Sequence, residues 1–403
     1  MKKIRAVFGY FIMSAALFLG GVSLDTGVSG TDVIADLRDR LNNMDDPADR
    51  ADDPPASADD AREPDGGRQD DAQNDTDVPL YYYSLLDDGK KEYYEQLDGA
   101  VASQEDEVTL EGISYEEAEP IFLSVTNDHP EYFWIEPSYT YQADESYVKF
   151  MFNYNCEGGE KDNRQRVIDQ QSAQIVDAVP ADSTDYEKVK TVFETIVDRT
   201  QYDKSAPDNQ NIYSVFGNWS SVCAGYARAT KYLLDQMGVE CIYVTGDAGG
   251  EAHAWNIVNC DGAWYCVDAT WGDPVYQEGV GVDVDTTSYE YLCCTEQMLF
   301  RTHTPDAMFT LPACTDTSLE YYRLEGRYLT EADAGPVLDL MKADIDAGEE
   351  RTDIQFSEPD IYEQVMAQLE TILQDALRYQ GTGDKASYQW NENTCKITVF
   401  WES

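Results

Sequence analysis

The spacing of apolar residues predicts a helix-rich N-terminal region over residues 79–180, with order beginning near residue 80. Segments with helical spacing, and so predicted helices, are 85–102, 115–126, 161–178 and 184–200. Alternating apolar and polar residues around 139–141 and 147–154 predict a β-hairpin within this region. Thr184, with Glu187 three residues later, is typical of a capping box at the start of the last helix.

The section from 181 to 317 has the clearest pattern. Ser220 or Ser221 is predicted to cap a helix that runs to Met237, where Gly238 ends it. The predicted strands and loop that follow are a strand at 240–245, a loop at 246–250, and a hairpin of strands 252–259 and 263–270. The fold expected for this section is α+β, with one helix packed on an antiparallel sheet.

The turn of this hairpin fixes which residues face each other. If Asp261–Gly262 is a two-residue turn, Cys260 shares one face with Val258, while Cys266 shares the opposite face with Ile257. Cys260 and Cys266 are therefore not expected to form a disulfide. The chain has nine cysteines, and their scattered positions are more typical of small buried residues than of a disulfide framework.

The last section, 318–403, is predicted to be a small α+β unit. Its predicted helices lie near 331–347 and 360–379, and its short strands lie near 353–356, 387–390 and 396–401.

The charge narrows the range of partners. The 403 residues include 78 acidic and 28 basic side chains, which give a formal net charge of -50. Such a surface repels nucleic acid and anionic lipid, so neither is an expected partner. Residues 31–78 are acidic and poor in large apolar side chains, and are predicted to be a disordered tether.

The first 30 residues resemble an export signal. Lys2, Lys3 and Arg5 precede an almost wholly apolar run at 6–22, which is also close to the shortest length that spans a membrane. A cleaved signal peptide and an uncleaved N-terminal anchor both remain open. Either way, the folded body is expected to be extracytoplasmic, with membrane contact only through the N-terminal segment.

Three residues of the central section have the order required for thiol chemistry. Cys223 falls in the first turn of its helix, where backbone N–H groups and the helix dipole favour a thiolate. His253 and Asp268 fall on one face of the hairpin as diagonal neighbours. Asp268 can accept a hydrogen bond from one nitrogen of His253 and leave the other nitrogen to face Cys223.

These segments resemble the transglutaminase-like superfamily of papain-related folds, in its bacterial exported branch. The matching segments are 222–227 (Val-Cys-Ala-Gly-Tyr-Ala), 253–256 (His-Ala-Trp-Asn) and 264–274 (Trp-Tyr-Cys-Val-Asp-Ala-Thr-Trp-Gly-Asp-Pro), within a wider likeness over about 184–305. The resemblance implies a nucleophile at Cys223, a base at His253 and an orienting acid at Asp268. It also makes Tyr213 a candidate for the oxyanion site.

Other aromatic and histidine residues are weaker candidates. Trp219 is a second aromatic candidate for the cleft, and Trp255 is expected to pack and to shield the site. His129 and His303 are expected to be structural. No calcium-loop pattern is present, and the glycines at 246–250 do not indicate phosphate binding, so no cofactor or metal is expected.

Two functions remain open from the sequence. The first is acyl transfer on amide bonds of proteins or peptides, including cell-wall peptides, through an acyl-enzyme, with hydrolysis favoured over cross-linking. The second is a non-catalytic surface module that retains the fold for binding or assembly.

Overall fold

The structure is a computed structural model that describes residues 4–7, 78–144, 146–273, 287–381 and 385–402. The segments predicted as a tether (31–78, except Val78) and most of the predicted export signal (1–30) lie outside these residues. Within the described part of the chain, no helix combines the length and apolar character needed to cross a bilayer.

The N-terminal region combines helices with a four-stranded antiparallel sheet in the order β1-β3-β4-β2. Its helices are α1 (Tyr81–Ser84), α2 (Asp88–Ala102), α3 (Tyr115–Asp128) and α4 (Gly158–Val176), and its strands are β1 (Ile4–Val7), β2 (Glu107–Glu111), β3 (Ile135–Ala143) and β4 (Tyr147–Tyr154). The predicted hairpin is confirmed as β3–β4, whereas β2 was not predicted. Ile168 and Ile175 of α4 belong to the core cluster of the central section, so this helix packs with the residues that follow it.

The central section is built around a second four-stranded antiparallel sheet in the order β10-β7-β8-β9. Its helices are α5 (Asp185–Arg199), α6 (Ile212–Asn218), α7 (Cys223–Gln236), α8 (Ala269–Gly272) and α9 (Glu296–Leu299), with a 3₁₀ turn at Tyr289–Tyr291, and its strands are β5 (Gln201–Tyr202), β6 (Ser220–Ser221), β7 (Cys241–Ala248), β8 (Glu251–Cys260), β9 (Ala263–Val267) and β10 (His303–Pro305). The mixed helix and sheet composition confirms the α+β class.

The register predicted for the β8–β9 hairpin is confirmed. Ile257 pairs with Cys266 and Val258 with Tyr265, and Asp261 adopts a positive φ of 53°, as a tight hairpin turn requires. Cys260 packs in the same core cluster as Val258, whereas Cys266 packs with Ile257 in another. All nine cysteines are free and buried.

Three predicted boundaries in the central section were wrong. Ser220 and Ser221 do not cap α7, because they form the short strand β6 against β5, and Val222 is the N-cap. Residues 246–248 are strand and not loop, because β10 pairs with them. The last predicted strand ends at Val267 and not at residue 270, because the Asp268 side chain accepts from the N–H groups of Thr270 and Trp271 and so starts α8.

The C-terminal section forms a third sheet, in the order β11-β12-β14-β13, covered by helices. Its helices are α10 (Tyr321–Leu324), α11 (Ala334–Ala347), α12 (Pro359–Met366) and α13 (Leu369–Gln380), and its strands are β11 (Tyr328–Leu329), β12 (Arg351–Phe356), β13 (Lys385–Asn391) and β14 (Lys396–Glu402). The helix predicted at 360–379 is two helices, α12 and α13, separated by a turn at 367–368.

Candidate active site

Helix α7 places Cys223 at its first position. Val222, the N-cap, has an extended backbone, and the turn that follows leaves N–H groups without acceptors inside the helix. Gly225 allows strand β6 to approach this turn, since a Cβ on Gly225 would lie 1.9 Å from the Ser221 hydroxyl oxygen. The small residue at 225 is therefore required by the close packing of the chain on the helix start.

The Cys223 side chain is completely buried, with 0% of its surface exposed. It lies in a small apolar cluster with Ala227, Tyr243 and Ala254. Tyr243 lies on β7 and Ala254 on β8, so the cysteine helix packs directly on the sheet that carries the histidine.

His253 connects Cys223 to Asp268. The Nε2 atom of His253 lies 2.8 Å from Oδ2 of Asp268, and both side chains are buried. The His253 ring also hydrogen-bonds the Cys223 side chain. Because Nε2 is engaged by Asp268, Nδ1 is the ring nitrogen left to face the thiol. The structure thus brings together the three residues predicted from the sequence.

In this group, the effect of neighbouring charges on the pKa values of His253 and Asp268 is larger than the effect of burial. Burial alone would lower the pKa of His253, but the negative charges of Asp268 and Cys223 raise it to about 10. Burial alone would raise the pKa of Asp268, but the charge and N–H group of His253, helped by His303, hold it well below its usual value. The arrangement therefore favours a charged imidazolium next to an ionised carboxylate.

Asp268 is held from both sides. Its Oδ1 atom accepts from the backbone N–H groups of Thr270 at 2.9 Å and Trp271 at 3.1 Å. Its Oδ2 atom lies 2.8 Å from Nε2 of His253 and 3.0 Å from Nε2 of His303. The carboxylate thus has four donors, and both of its oxygens are fixed in position.

The contact between His303 and Asp268 was not foreseen. His303 lies on β10, at one edge of the sheet, while Asp268 directly follows β9, at the other edge. In a flat sheet the two edge strands would lie about 14 Å apart, since neighbouring strands are separated by about 4.8 Å. The 3.0 Å contact therefore joins residues from the two edges of the sheet. No pattern in the sequence indicated this contact, because β10 has three residues and no alternating pattern.

Gly246 makes room for β10. A Cβ on Gly246 would lie 2.2 Å from the carbonyl oxygen of Thr304 and 2.8 Å from the ring of Trp255. Only a residue without a side chain allows the strand that carries His303 to pack this closely.

Trp255 lies beside both histidines. Its ring is nearly parallel to that of His253, with centroids 6.2 Å apart, and is perpendicular to that of His303 at 5.3 Å. This buried ring packs beside the site, and its role in shielding the site stays a prediction.

Tyr213 and Trp219 lie elsewhere. Both pack against the main core cluster, whereas Cys223 lies in a separate cluster. The Arg164 guanidinium lies over the Tyr213 ring at 4.7 Å, and the Arg199 guanidinium lies over the Trp219 ring at 5.5 Å. These contacts describe wall and core residues, and they provide no support for an oxyanion role for either ring.

Two polar contacts that the sequence did not predict fix the cysteine helix to the rest of the site. Asn256 donates its amide to the carbonyl oxygen of Ala227 at 2.9 Å, which joins β8 to α7. The hydroxyl of Tyr226 lies 2.6 Å from Oδ2 of Asp273, just after α8. Both Asn256 and Asp273 are buried, so these bonds set the position of the nucleophile relative to the base.

His129 lies outside this group. Its ring contacts Glu131 at 2.8 Å and stacks on Tyr132, with centroids 4.7 Å apart. These local contacts agree with the structural role expected for it.

His253, Asp268 and His303 are also the group, within the described residues, whose ligand atoms lie close enough to hold a metal ion. A tetrahedral zinc ion with bonds of about 2.1 Å would separate its ligand atoms by about 3.4 Å. The observed separations of 2.8 and 3.0 Å are those of N–H···O hydrogen bonds. The geometry therefore fits a hydrogen-bonded relay better than a metal centre.

Comparison with known proteins relates this part of the chain to a known family. Residues 173–269 match the family model of the transglutaminase-like superfamily. Kyphoscoliosis peptidase of Mus musculus is 25% identical over 146 residues, which cover 32% of this chain and 21% of the mouse protein. The Homo sapiens protein of the same name has the same identity and coverage. The chain thus spans about a fifth of the length of the curated relatives it matches.

Among solved structures, one described as a TGase covers 45% of this chain and 53% of its own length, with 12% identity and a TM-score of 0.24. That score is too low to support any further statement about this chain. The family match includes the cysteine, the histidine and the aspartate of the site. Residues 173–269 of this chain are therefore a transglutaminase-like domain.

Proposed function

We propose that the protein is a thiol enzyme that transfers acyl groups from amide bonds of proteins or peptides, with Cys223 as nucleophile, His253 as acid and base, and Asp268 as the orienting carboxylate. The observation that supports this most strongly is the buried contact of 2.8 Å between His253 and Asp268, with the same imidazole bonded to Cys223. A sulfur, a base and an orienting acid in this order are the parts that nucleophilic catalysis requires.

The reaction has two halves. The Cys223 sulfur attacks the amide carbonyl carbon, the C–N bond breaks, and the amine leaves with the proton that His253 carried. This forms a thioester. Water then gives its proton to His253 and attacks the thioester carbonyl, and the C–S bond breaks to release the acid and regenerate the thiolate. An amine in place of water would give cross-linking.

The start of helix α7 can stabilise the negative charge that forms on the carbonyl oxygen when the sulfur attacks. The N–H groups of Cys223 and Ala224 precede the first hydrogen bond of the helix, which the Gly225 N–H donates to the Val222 carbonyl, and the helix dipole adds partial positive charge at the same end. These donors can hold the oxyanion that forms when the sulfur attacks. Donors of this kind account for an oxyanion site without Tyr213 or Trp219.

Hydrolysis is favoured over cross-linking. The mouse and human relatives are named peptidases, although the likeness spans only about a fifth of their length. The class of substrate we propose is accordingly a protein or peptide, and cell-wall peptides are included because the sequence suggests export.

Access to the sulfur is part of this proposal. Because Cys223 has no exposed surface, an acyl donor reaches it only after the residues around it move. Alkylation of the folded protein measures both this access and the state of the thiol.

The proposal is tested by alkylation with iodoacetamide at about pH 5.5, where an unperturbed thiol is almost wholly protonated. Since all nine cysteines are buried, labelling that is selective for Cys223 would reflect its chemistry and not its exposure. Mass spectrometry of peptides identifies the labelled residue. We expect rapid labelling of Cys223 in the wild-type protein and loss of that labelling in His253→Ala.

A matched control is His129→Ala, which removes a partly buried histidine that is bonded to a carboxylate, Glu131, and not to the thiol. We expect Cys223 of this variant to be alkylated at the wild-type rate. Labelling of wild-type Cys223 no faster than that of a free thiol would refute the enzymatic proposal and leave the binding or assembly module. A search for substrates trapped as thioesters on the wild-type protein would then distinguish the substrate classes.

We also propose that the protein acts outside the cytoplasm. The support is the sequence of residues 1–22 alone, with its basic start and apolar run. A reporter enzyme that is active only after export, fused after residue 30, should be active. An inactive but intact fusion would contradict this localisation.

A further inference from the structure

His303 shares one oxygen of Asp268 with His253. Its Nε2 atom lies 3.0 Å from Oδ2, the atom that His253 contacts at 2.8 Å. An ionised carboxylate only accepts hydrogen bonds, so both imidazoles present an N–H group at Nε2. Two N–H donors therefore converge on the oxygen that orients the base.

The other nitrogen of His303 is also satisfied. Nδ1 lies 2.8 Å from the hydroxyl oxygen of Thr302, which also lies 3.3 Å from the carbonyl oxygen of Leu299. The hydroxyl can donate to Nδ1, or it can donate to Leu299 and accept from Nδ1. His303 thus keeps its Nε2–H on Asp268 in both of its protonation states.

The surroundings of His303 fix its ring. It is buried, with 1% of its surface exposed, and its ring lies 4.8 Å from that of Trp271 and 5.3 Å from that of Trp255. A ring held in this way keeps its N–H group aimed at the carboxylate without further ordering.

The titratable groups that face this contact come from four elements. They are His253 on β8, Cys223 on α7 through His253, Tyr291 on the 3₁₀ turn, and Cys294 after it. Burial raises the pKa of Tyr291 and of Cys294 well above their usual values, so both stay neutral where the site works. Neither group therefore adds a charge beside the contact between His303 and Asp268.

We propose that His303 is a positioning residue of the site: its Nε2–H bond to Asp268 shifts the pH range over which the Cys223–His253 pair is charged to lower pH. This inference rests on the proposed function, because it concerns how the same thiol is activated.

The direction of the pH shift follows from the net charge of the group in each protonation state. With the thiol protonated, Cys223, His253 and Asp268 carry one positive and one negative charge, and loss of the thiol proton leaves a net charge of minus one. A second N–H donor on Asp268 stabilises the more negative state. The same reasoning applies when His253 loses its proton. Removal of the His303 N–H donor should therefore move the loss of the thiol proton and the loss of the His253 proton to higher pH.

The test compares His303→Leu with His303→Gln. Leucine removes the donor, whereas the amide nitrogen of glutamine can occupy the position of Nε2 and donate to Asp268. The readout is the rate of Cys223 alkylation by iodoacetamide as a function of pH, with thermal unfolding measured in parallel for each variant.

For His303→Leu, we expect the acidic limb of the alkylation profile to move to higher pH by about half a unit to one unit, which is a three- to tenfold slower rate at a fixed pH on that limb. We expect His303→Gln to keep the wild-type profile. Thr302→Val, which keeps the Nε2 contact, should lose thermal stability without moving the limb.

The possible failures can be told apart. If wild-type Cys223 is not selectively alkylated, or if His253→Ala does not change its labelling, the proposed function fails whatever His303 does. If wild type passes that test and a folded His303→Leu keeps the wild-type limb, only the assignment of His303 is wrong. A shift in His303→Gln as large as that in His303→Leu would also overturn it, since the donor would then not be the cause.

Discussion

Replacement of Asp268 by asparagine is a direct test of the relay. The carboxylate accepts from two backbone N–H groups on Oδ1 and from two imidazoles on Oδ2, so an amide NH₂ meets two donors in either orientation. A backbone N–H group cannot change its role, whereas a neutral imidazole can move its proton to Nδ1. We therefore expect the amide oxygen to stay on the backbone donors of Thr270 and Trp271.

This choice reverses the tautomer of His253. The amide of residue 268 donates to Nε2, and the proton on Nδ1 then faces Cys223. A histidine in this state has no free lone pair for the thiol proton. Cys223 in Asp268→Asn should therefore react as an unpaired thiol and not as the thiolate of an ion pair.

The size of the effect follows from two opposing factors. At pH 5.5 an unperturbed thiol is ionised to about one part in a thousand, whereas a cysteine ion-paired to histidine is almost wholly ionised. The more basic thiolate is about 100-fold more reactive, because nucleophilicity rises with basicity. Alkylation of Asp268→Asn should therefore be about tenfold slower than that of wild type at pH 5.5.

The assay is the iodoacetamide rate from about pH 5 to 9. Because an unpaired thiol ionises further as pH rises, the Asp268→Asn rate should rise more steeply with pH than the wild-type rate, by up to about tenfold per pH unit. The control is Asp344→Asn, which weakens the partly buried ion pair with Arg327 in the C-terminal section. Parallel curves for wild type and Asp268→Asn would refute the reasoning.

Three further outcomes are expected. Gly246→Ala should lower the free energy of unfolding by about 1–3 kcal/mol, because its Cβ would overlap the carbonyl oxygen of Thr304; equal stability in urea would contradict this packing. Tyr226→Phe should cost about 1.5–3 kcal/mol, because the buried carboxylate of Asp273 loses a donor, and a urea midpoint equal to that of wild type would argue against that bond. The raised pKa of His253 should stabilise the fold fully below about pH 6.5 and progressively less as pH rises toward 10. The stability difference between wild type and His253→Gln should then fall by up to about 1.4 kcal/mol per pH unit in that range, and a constant difference would contradict the ion pair.

The sequence predicted local features of the fold correctly where the hydrogen bonds that form them join residues of one short segment. The Asp261–Gly262 turn determined the register of the β8–β9 hairpin, and with it the separation of Cys260 from Cys266. The capping box of Thr184 and Glu187 determined the start of α5. Each of these depends on hydrogen bonds between residues a few positions apart, so the pattern alone was enough.

The predicted boundaries failed where a distant segment competed for the same groups. The side chain of Ser221 bonds to the carbonyl of Asn209, and its strand pairs with β5, so it does not cap α7. Residues 246–248 read as a glycine-containing loop, yet β10 pairs with them and makes them strand. Local propensity does not show that a strand more than fifty residues later in the chain will pair with this segment.

The sequence by itself determined the identity and order of the reactive groups, since Cys223 at a helix start and His253 opposite Asp268 on a hairpin follow from local geometry. Only the tertiary structure decided what surrounds them. It brings His303, at one edge of the sheet, to Asp268 beyond the other edge, and it buries the thiol that the sequence marked as reactive. The physical reason is that helix caps and hairpin registers are set by hydrogen bonds between near neighbours, whereas a contact between the two edges of a sheet and the burial of a side chain depend on packing between segments far apart in the chain.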